Sequence, residues 1–254
     1  MVKLPIGLAL SGGGARGFAH IGVLKAMEEF KITPNIVSGT SMGAIIGSLI
    51  ANGYTSEEII DFAQHPNYLK IFDFKGFKLG LSTHKRVRSI LNELLPDDFE
   101  SLKLPLRISA TNLSKAQLEV FSSGPLIDAV LASISIPVIF KPVEIKGNFY
   151  ADGGLVQNLP ADSIRDECKT LIGSHVNHIP LNVEISNTFK IIDRCIRIAI
   201  FNTVQSQIKL CDIFIDPLKG GQFDVLNFKA VKELVDLGYN SAIKEIKNKF
   251  LNRN

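Results

Sequence analysis

Ser41 stands in the string Gly39-Thr40-Ser41-Met42-Gly43, a G-x-S-x-G pattern. Chance would yield such a string roughly 0.1 times in a chain of this size, so the string alone is moderately specific. Its setting adds weight. The short apolar run Ile36–Ser38 precedes it, and the small and branched residues Met42–Ala51 follow. A strand–turn–helix junction of this kind presents a serine hydroxyl as a nucleophile on a sharp turn. Gly39 and Gly43 leave room for strand, helix and substrate to approach, and the Met42 N–H points toward the same volume. The competing role for Ser41 is an ordinary helix N-cap, and the context favours the nucleophile.

A nucleophilic serine needs a base, and the residues leave two arrangements open. In the usual order Ser…Asp…His, Asp152 would be followed by His175 or His178. Ser41, however, follows only the second strand, earlier than that fold places its elbow. His20 falls within the first helix, and His65 and His84 sit in stretches without a motif. The alternative is direct pairing with Asp152 in Tyr150-Ala151-Asp152-Gly153-Gly154. A carboxylate of ordinary pKa, about 3.9, is a weak base and needs surroundings that raise its basicity. An aspartate before two glycines is also a common turn.

The third element is Ser11-Gly12-Gly13-Gly14-Ala15-Arg16-Gly17, which ends one apolar run and opens a helix. Gly12, Gly14 and Gly17 fit G-x-G-x-x-G, but the second strand ends in Ser38-Gly39-Thr40 without the acid a dinucleotide site requires. No Gly-Lys-Ser/Thr follows, so a P-loop is excluded. Glycine amides at a helix start can hold a phosphate or the oxyanion of an acyl transfer. Arg16 would assist the anion or orient the loop.

These groups must be positioned by the elements around them. Apolar runs at Ile6–Leu10, Ile36–Ser38, Leu106–Ala110, Gln117–Phe121, Val143–Ala151 (with a Lys146-Gly147-Asn148 turn inside it), Leu171–Val176 and Ile213–Ile215 predict strands. Helices are predicted at Ala19–Phe30, Met42–Ala51, from a capping box at Thr55–Glu58, from Thr83 to Leu95, at Pro125–Ser133 and from Thr188 to Leu210. Two more are predicted near Phe228–Leu237 and Asn240–Phe250. The alternation argues for a mostly parallel sheet covered on both faces.

The 254 residues carry 28 basic and 25 acidic side chains, a net charge of +3, and 46% apolar residues. Such a chain is too apolar for disorder and shows no basic stripe for nucleic acid. Residues 1–254 read as one domain, with no internal repeat or linker. Cys168, Cys195 and Cys211 read as reduced, buried thiols. The run Ile32–Ser56 lacks charge but is broken by Pro34, Asn35, Asn52 and glycines, so no membrane span is expected. The apolar N-terminal run is too short for a signal peptide and reads as a buried strand, so the expected location is cytoplasmic.

Four blocks in this order, Gly12–Gly17 (GGGARG), Gly39–Gly43 (GTSMG), Ala132–Phe140 (ASISIPVIF) and Asp152–Pro160 (DGGLVQNLP), resemble the patatin-like phospholipase family. The resemblance covers most of the first 160 residues and none of the last 90. It implies a three-layer α/β/α fold with a mostly parallel sheet. It also implies a Ser41–Asp152 dyad without histidine and an oxyanion hole on Gly12, Gly13 and Gly14. Arg16 and Met42 would stand beside that hole, with Gly17, Gly153 and Gly154 as motif glycines. The implied substrates are acyl esters of phospholipids, lysophospholipids or neutral lipids, with no metal or other cofactor for the dyad chemistry. The competing function is a non-catalytic regulator or scaffold on the same fold. Peripheral membrane contact is a further expectation. In Lys70–Gly80, Phe72, Phe74 and Phe77 alternate with lysines and would either meet a lipid surface or tuck into the core, the second being favoured. The residues do not determine the oligomeric state.

Overall fold

The computed structural model describes residues 5–66, 84–137, 139–179, 186–218, 223, 225 and 227–250. Thr83 and the Lys70–Gly80 segment lie outside the described residues.

In chain order the strands are β1 (Ile6–Leu10), β2 (Ile36–Thr40), β3 (Leu106–Asn112), β4 (Gln117–Phe121), β5 (Val143–Ile145), β6 (Asn148–Asp152), β7 (Thr170–Ser174) and β8 (Ile213–Ile215). The helices are α1 (Ala19–Glu29), α2 (Met42–Ala51), α3 (Ser56–Gln64), α4 (Lys85–Leu94), α5 (Leu126–Ser133), α6 (Asp162–Arg165), α7 (Thr188–Ile208) and α8 (Val231–Phe250). The strands form one sheet in the order β5-β6-β3-β2-β1-β7-β8, with β4 on the other edge of β3. From β3 to β8 the neighbours are parallel, and β4, β5 and β6 add an antiparallel flank. This is the mostly parallel α/β sheet expected.

Strand alternation divides the core into two layers. Leu8 and Leu10 of β1, Val37 of β2 and Ile172 of β7 face a large cluster with α1, α2, α4, α5 and α8. Ala9, Ile36 and Leu171, the intervening residues, face a smaller cluster with α6 and α7. β1, β2 and β7 are buried on both faces, which is why their sequences read as apolar runs without alternation.

The turn expected inside Val143–Ala151 joins β5 to β6 as a hairpin, at Lys146 (φ 49°) and Gly147 (φ 76°). One helix expectation changes: the two C-terminal helices are one, α8. Gly238 reads locally as a helix breaker, yet it lies inside α8 where that helix crosses α1. A Cβ on Gly238 would lie 1.9 Å from the Ala19 carbonyl oxygen, and one on Gly22 would lie 2.0 Å from that of Val235. The glycines let two backbones touch, a packing gain that outweighs a helix-propensity cost of about 1 kcal/mol. Gly22→Ala is therefore expected to destabilise the fold by about 1–3 kcal/mol, seen as a lower urea midpoint.

The thiols also differ from expectation. Cys168 is buried and Cys211 partly so, but Cys195 is exposed, because its position on α7 turns it outward.

Candidate active site

Ser41 leaves the end of β2 and starts α2. Its φ of 54° places a non-glycine residue in the left-handed region, the strained geometry of a nucleophile elbow. The surroundings hold that strain in place. The Ser41 N–H donates to Ser133 Oγ (2.8 Å), and the Ser133 hydroxyl donates to the Ser109 carbonyl of β3 (2.7 Å). A Cβ on Gly39 would lie 2.2 Å from the Gly43 carbonyl oxygen, and one on Gly43 would lie 2.3 Å from that of Leu10. The flanking glycines are thus demanded by backbone contact across the turn.

Asp152 arrives by sheet register. β2 pairs with β3 as far as Thr40↔Ser109, and β6 takes over the same edge of β3 from Ala110↔Asp152. The end of β6 therefore abuts the point where Ser41 turns away. The Ser41 hydroxyl donates to Asp152 Oδ2 at 2.5 Å, and the Gly154 N–H donates to Oδ1 at 2.8 Å. The Asp152 N–H donates to the Ser135 carbonyl (2.9 Å), and the Thr111 hydroxyl to the Asp152 carbonyl (2.8 Å). Asp152 is buried, and burial raises its pKa to about 6, against the lowering effect of the Ser41 and Gly154 hydrogen bonds. Desolvation penalises the charged form. Gly153 packs on β3, where an added Cβ would lie 2.2 Å from the Ser109 carbonyl oxygen.

The glycine loop lies beside the pair. The Gly12 N–H donates to the Asn158 carbonyl at 3.1 Å, so this amide is not among those open to an anion. The Gly13 and Gly14 amides and that of Met42 donate to no acceptor among the described residues. Arg16 is buried and holds the loop from within: its Nε donates to the Gly13 carbonyl (3.4 Å) and its guanidinium to Asn177 Oδ1. Asn177 in turn donates to the Gly12 carbonyl (2.5 Å) and to Asn158 Oδ1 (2.8 Å). Gly17 lies against the Met42 side chain, where a Cβ would be 2.2 Å from Met42 Cγ.

The histidines divide. His20 is fully buried beneath the loop. Its Nε2 donates to the Ser11 carbonyl (2.9 Å), and its Nδ1 accepts from the Ser174 hydroxyl (2.8 Å). Burial lowers its pKa to about 4, so it is a neutral support. His175 is buried between Phe201 and Phe214, and burial lowers its pKa to about 3. His84 bonds Ser135 Oγ (2.9 Å) and stacks on Phe140. His178 bonds Asp216 Oδ2 at 3.0 Å. None of the four has a hydrogen bond to Ser41 or Asp152; the serine and the carboxylate meet directly.

Sequence reasoning named Ser41 and Asp152 but gave no role to Ser133, Ser135, Asn158 or Asn177. The first three lie inside the blocks around residues 132–140 and 152–160. Asn177 follows β7 with no local signal and is assembled only by the fold. Among the described residues, no group of three or more His, Cys, Asp or Glu is placed to hold a metal ion.

A cavity of about 450 Å³ opens over the pair. Its wall is mainly apolar, with Ile45, Val87, Ile134, Ile136, Phe140 and Ile200 around Ser41 and Asp152, and Arg16, Asn158, Asn177 and Arg197 among its polar residues. Both size and lining are those of a site for a largely apolar ligand.

A family model described as "Patatin-like phospholipase" matches residues 8–164, which hold the glycine loop, Ser41 and Asp152. The chain belongs to the patatin-like phospholipase family. An uncharacterised NTE family protein of Mycobacterium bovis is 34% identical to this patatin-like chain over 159 residues, covering 61% of the chain and 44% of that protein. The lysophospholipase NTE1 of Coccidioides immitis is 37% identical over 169 residues, covering 61% of the chain and 10% of that protein. The chain thus matches less than half the length of these curated relatives. The crystal structure of VipD from Legionella pneumophila superposes with a TM-score of 0.57 at 17% identity, covering 97% of this chain and 67% of that one, which shows a shared fold. No helix among the described residues is long and apolar enough to cross a membrane.

Proposed function

We propose that this patatin-like chain is a serine acyl-hydrolase that cleaves carboxylic esters of lipids, with lysophospholipids the leading substrate class. The observation that carries the reading is the 2.5 Å hydrogen bond from Ser41 Oγ to the buried Asp152 carboxylate at the wall of an apolar cavity. Family membership and the similarity to a lysophospholipase support the lipid ester as substrate.

In this reading Ser41 Oγ attacks the ester carbonyl as its proton passes to Asp152 Oδ2. The Gly13, Gly14 and Met42 amides, which donate to no acceptor among the described residues, take the charge that develops on the carbonyl oxygen. Asp152 returns the proton to the departing alcohol, leaving an acyl-Ser41. Water then attacks the acyl group, giving its proton to Asp152, and the fatty acid leaves as Ser41 recovers its hydrogen. Burial makes Asp152 a stronger base than an exposed carboxylate, which is what a dyad without imidazole requires. Gly12, Arg16 and Asn177 keep the loop amides aimed, and the apolar wall takes the acyl chain.

The test is labelling by a fluorophosphonate probe, with the modified peptide identified by mass spectrometry. The expected adduct is on Ser41. Labelling elsewhere, or none on a chain that hydrolyses no ester, would favour the scaffold reading. Asp152 must be ionised to accept a proton, so kcat/KM on p-nitrophenyl esters is expected to fall tenfold per pH unit below about pH 6 and to level off above it. An ordinary carboxylate would hold activity to about pH 4. The same acid limb is expected in His178→Ala, and its loss there would return the base to a histidine.

A further inference from the structure

α7 runs from Thr188 to Ile208 and changes character half-way. On a helix, positions 191, 195, 198 and 202 form one row, with 192 and 199 beside it. In the first half this outward face is apolar: Ile191, Ile192 and Ile198 are 47%, 52% and 43% exposed, with Cys195 and Ala199 exposed between them. In the second half the exposed positions are Asn202, Gln205 and Ser206, the ordinary polar surface of a helix. α7 packs against the turn that follows Asp152, where Leu155 and Val156 are 39% and 38% exposed. Leu155 and, from α7, Ile200 also line the cavity that holds Ser41. The exposed apolar face and the cavity thus share a wall. The stretch is basic in sequence: Thr188–Ile200 carries Lys190 and Arg194 against Asp193, besides Arg197 of the cavity wall.

We propose that the outward face of the first half of α7, together with Leu155 and Val156, docks this chain on an anionic lipid surface. Apolar residues in the acyl boundary with basic residues at the headgroups are the chemistry of a helix lying in a membrane interface. A second copy of the chain fits less well, because two-fold pairing of this face would set Arg194 regions of like charge against each other. The location beside the cavity gives the docking a purpose: an acyl chain leaves the bilayer for the apolar wall without crossing water. That purpose rests on the lipid-ester reading; the docking itself does not.

The chain contains no tryptophan, so Ile192→Trp supplies a single reporter. With mixed phosphatidylglycerol–phosphatidylcholine vesicles, its emission is expected to shift to the blue and to be quenched by brominated acyl chains. Co-sedimentation with these vesicles, measured in a Ser41→Ala background that forms no acyl-enzyme, is expected to fall about tenfold in the double variant Ile191→Ser, Ile198→Ser. With Ser41 restored, the double variant should hydrolyse soluble p-nitrophenyl butyrate within about twofold of the parent, since neither residue lines the cavity. The proposal is overturned if tryptophan emission stays fixed while the protein sediments, or if the double variant sediments as before. It is equally overturned if the double variant turns a dimer into a monomer with vesicle binding unchanged, or loses butyrate turnover as steeply as binding. If the native chain binds vesicles yet hydrolyses no ester, the docking stands and the acyl-hydrolase reading falls.

Discussion

Ser41→Ala is expected to lower kcat/KM for p-nitrophenyl and lysophospholipid esters by roughly 10³-fold or more, because no acyl-enzyme can form. The loop amides and the cavity remain, so a small residual rate above water is expected, along with nearly unchanged binding of a non-cleavable ether analogue. The variant should also fold well. Ser41 has a φ of 54°, strained for serine and alanine alike, and its elbow is held by the Ser41 N–H bond to Ser133, which alanine keeps. Steady-state kinetics with an active-site titration of the parent measure the effect. A variant that retains even a tenth of the parent rate would show that the nucleophile lies elsewhere.

Asp152→Asn is expected to lose about 10²–10⁴-fold in kcat/KM while making the protein more stable. The carboxyl has a pKa of about 6 in the folded chain, against an ordinary value of 3.8. Between these values the folded state binds more protons than the unfolded state, so stability falls as pH rises through this window and is flat above it. The full gap corresponds to about 3 kcal/mol of penalty for holding a buried carboxylate ionised. Asparagine removes the charge while still accepting the Gly154 N–H bond. A gain of about 1–3 kcal/mol is therefore expected at pH 8, shrinking toward zero by about pH 4, read from urea unfolding of both proteins across pH. Equal stability at every pH would mean that Asp152 is not desolvated in the folded state. A stability gain without loss of activity would remove it from the role of base.

Both predictions start from residues legible in the sequence. Ser41 was legible because an elbow writes itself locally: a strand, two glycines around a serine and a helix of small residues fall within about fifteen positions. Asp152 was visible as a strand-ending aspartate before two glycines. Residue order admitted both direct contact and an Asp–His relay; the early place of Ser41 and the family resemblance favoured contact, but order says nothing of the distance between a side chain at 152 and one at 41. The glycine loop was readable as an anion holder. That the Gly12 amide is already bonded to Asn158 was not, since that bond joins positions far apart in the chain.

The helices show the same division. The Thr55–Glu58 capping box was called from four adjacent residues and is present, with Thr55 bonded to Glu58 in both directions. The break expected between Leu237 and Asn240 is absent, because Gly238 there meets the backbone of α1, more than two hundred residues earlier.

The alternation of strand and helix, the serine turn and the family blocks are set by side chains within a few positions of one another and are legible along the chain. That β6 replaces β2 along β3 and so sets Asp152 on Ser41, that Asn177 braces the loop, and that burial raises the Asp152 pKa follow from the assembled fold. Each of those is a contact or a loss of water between distant segments, and distance in space and exclusion of solvent exist only once the sheet has assembled.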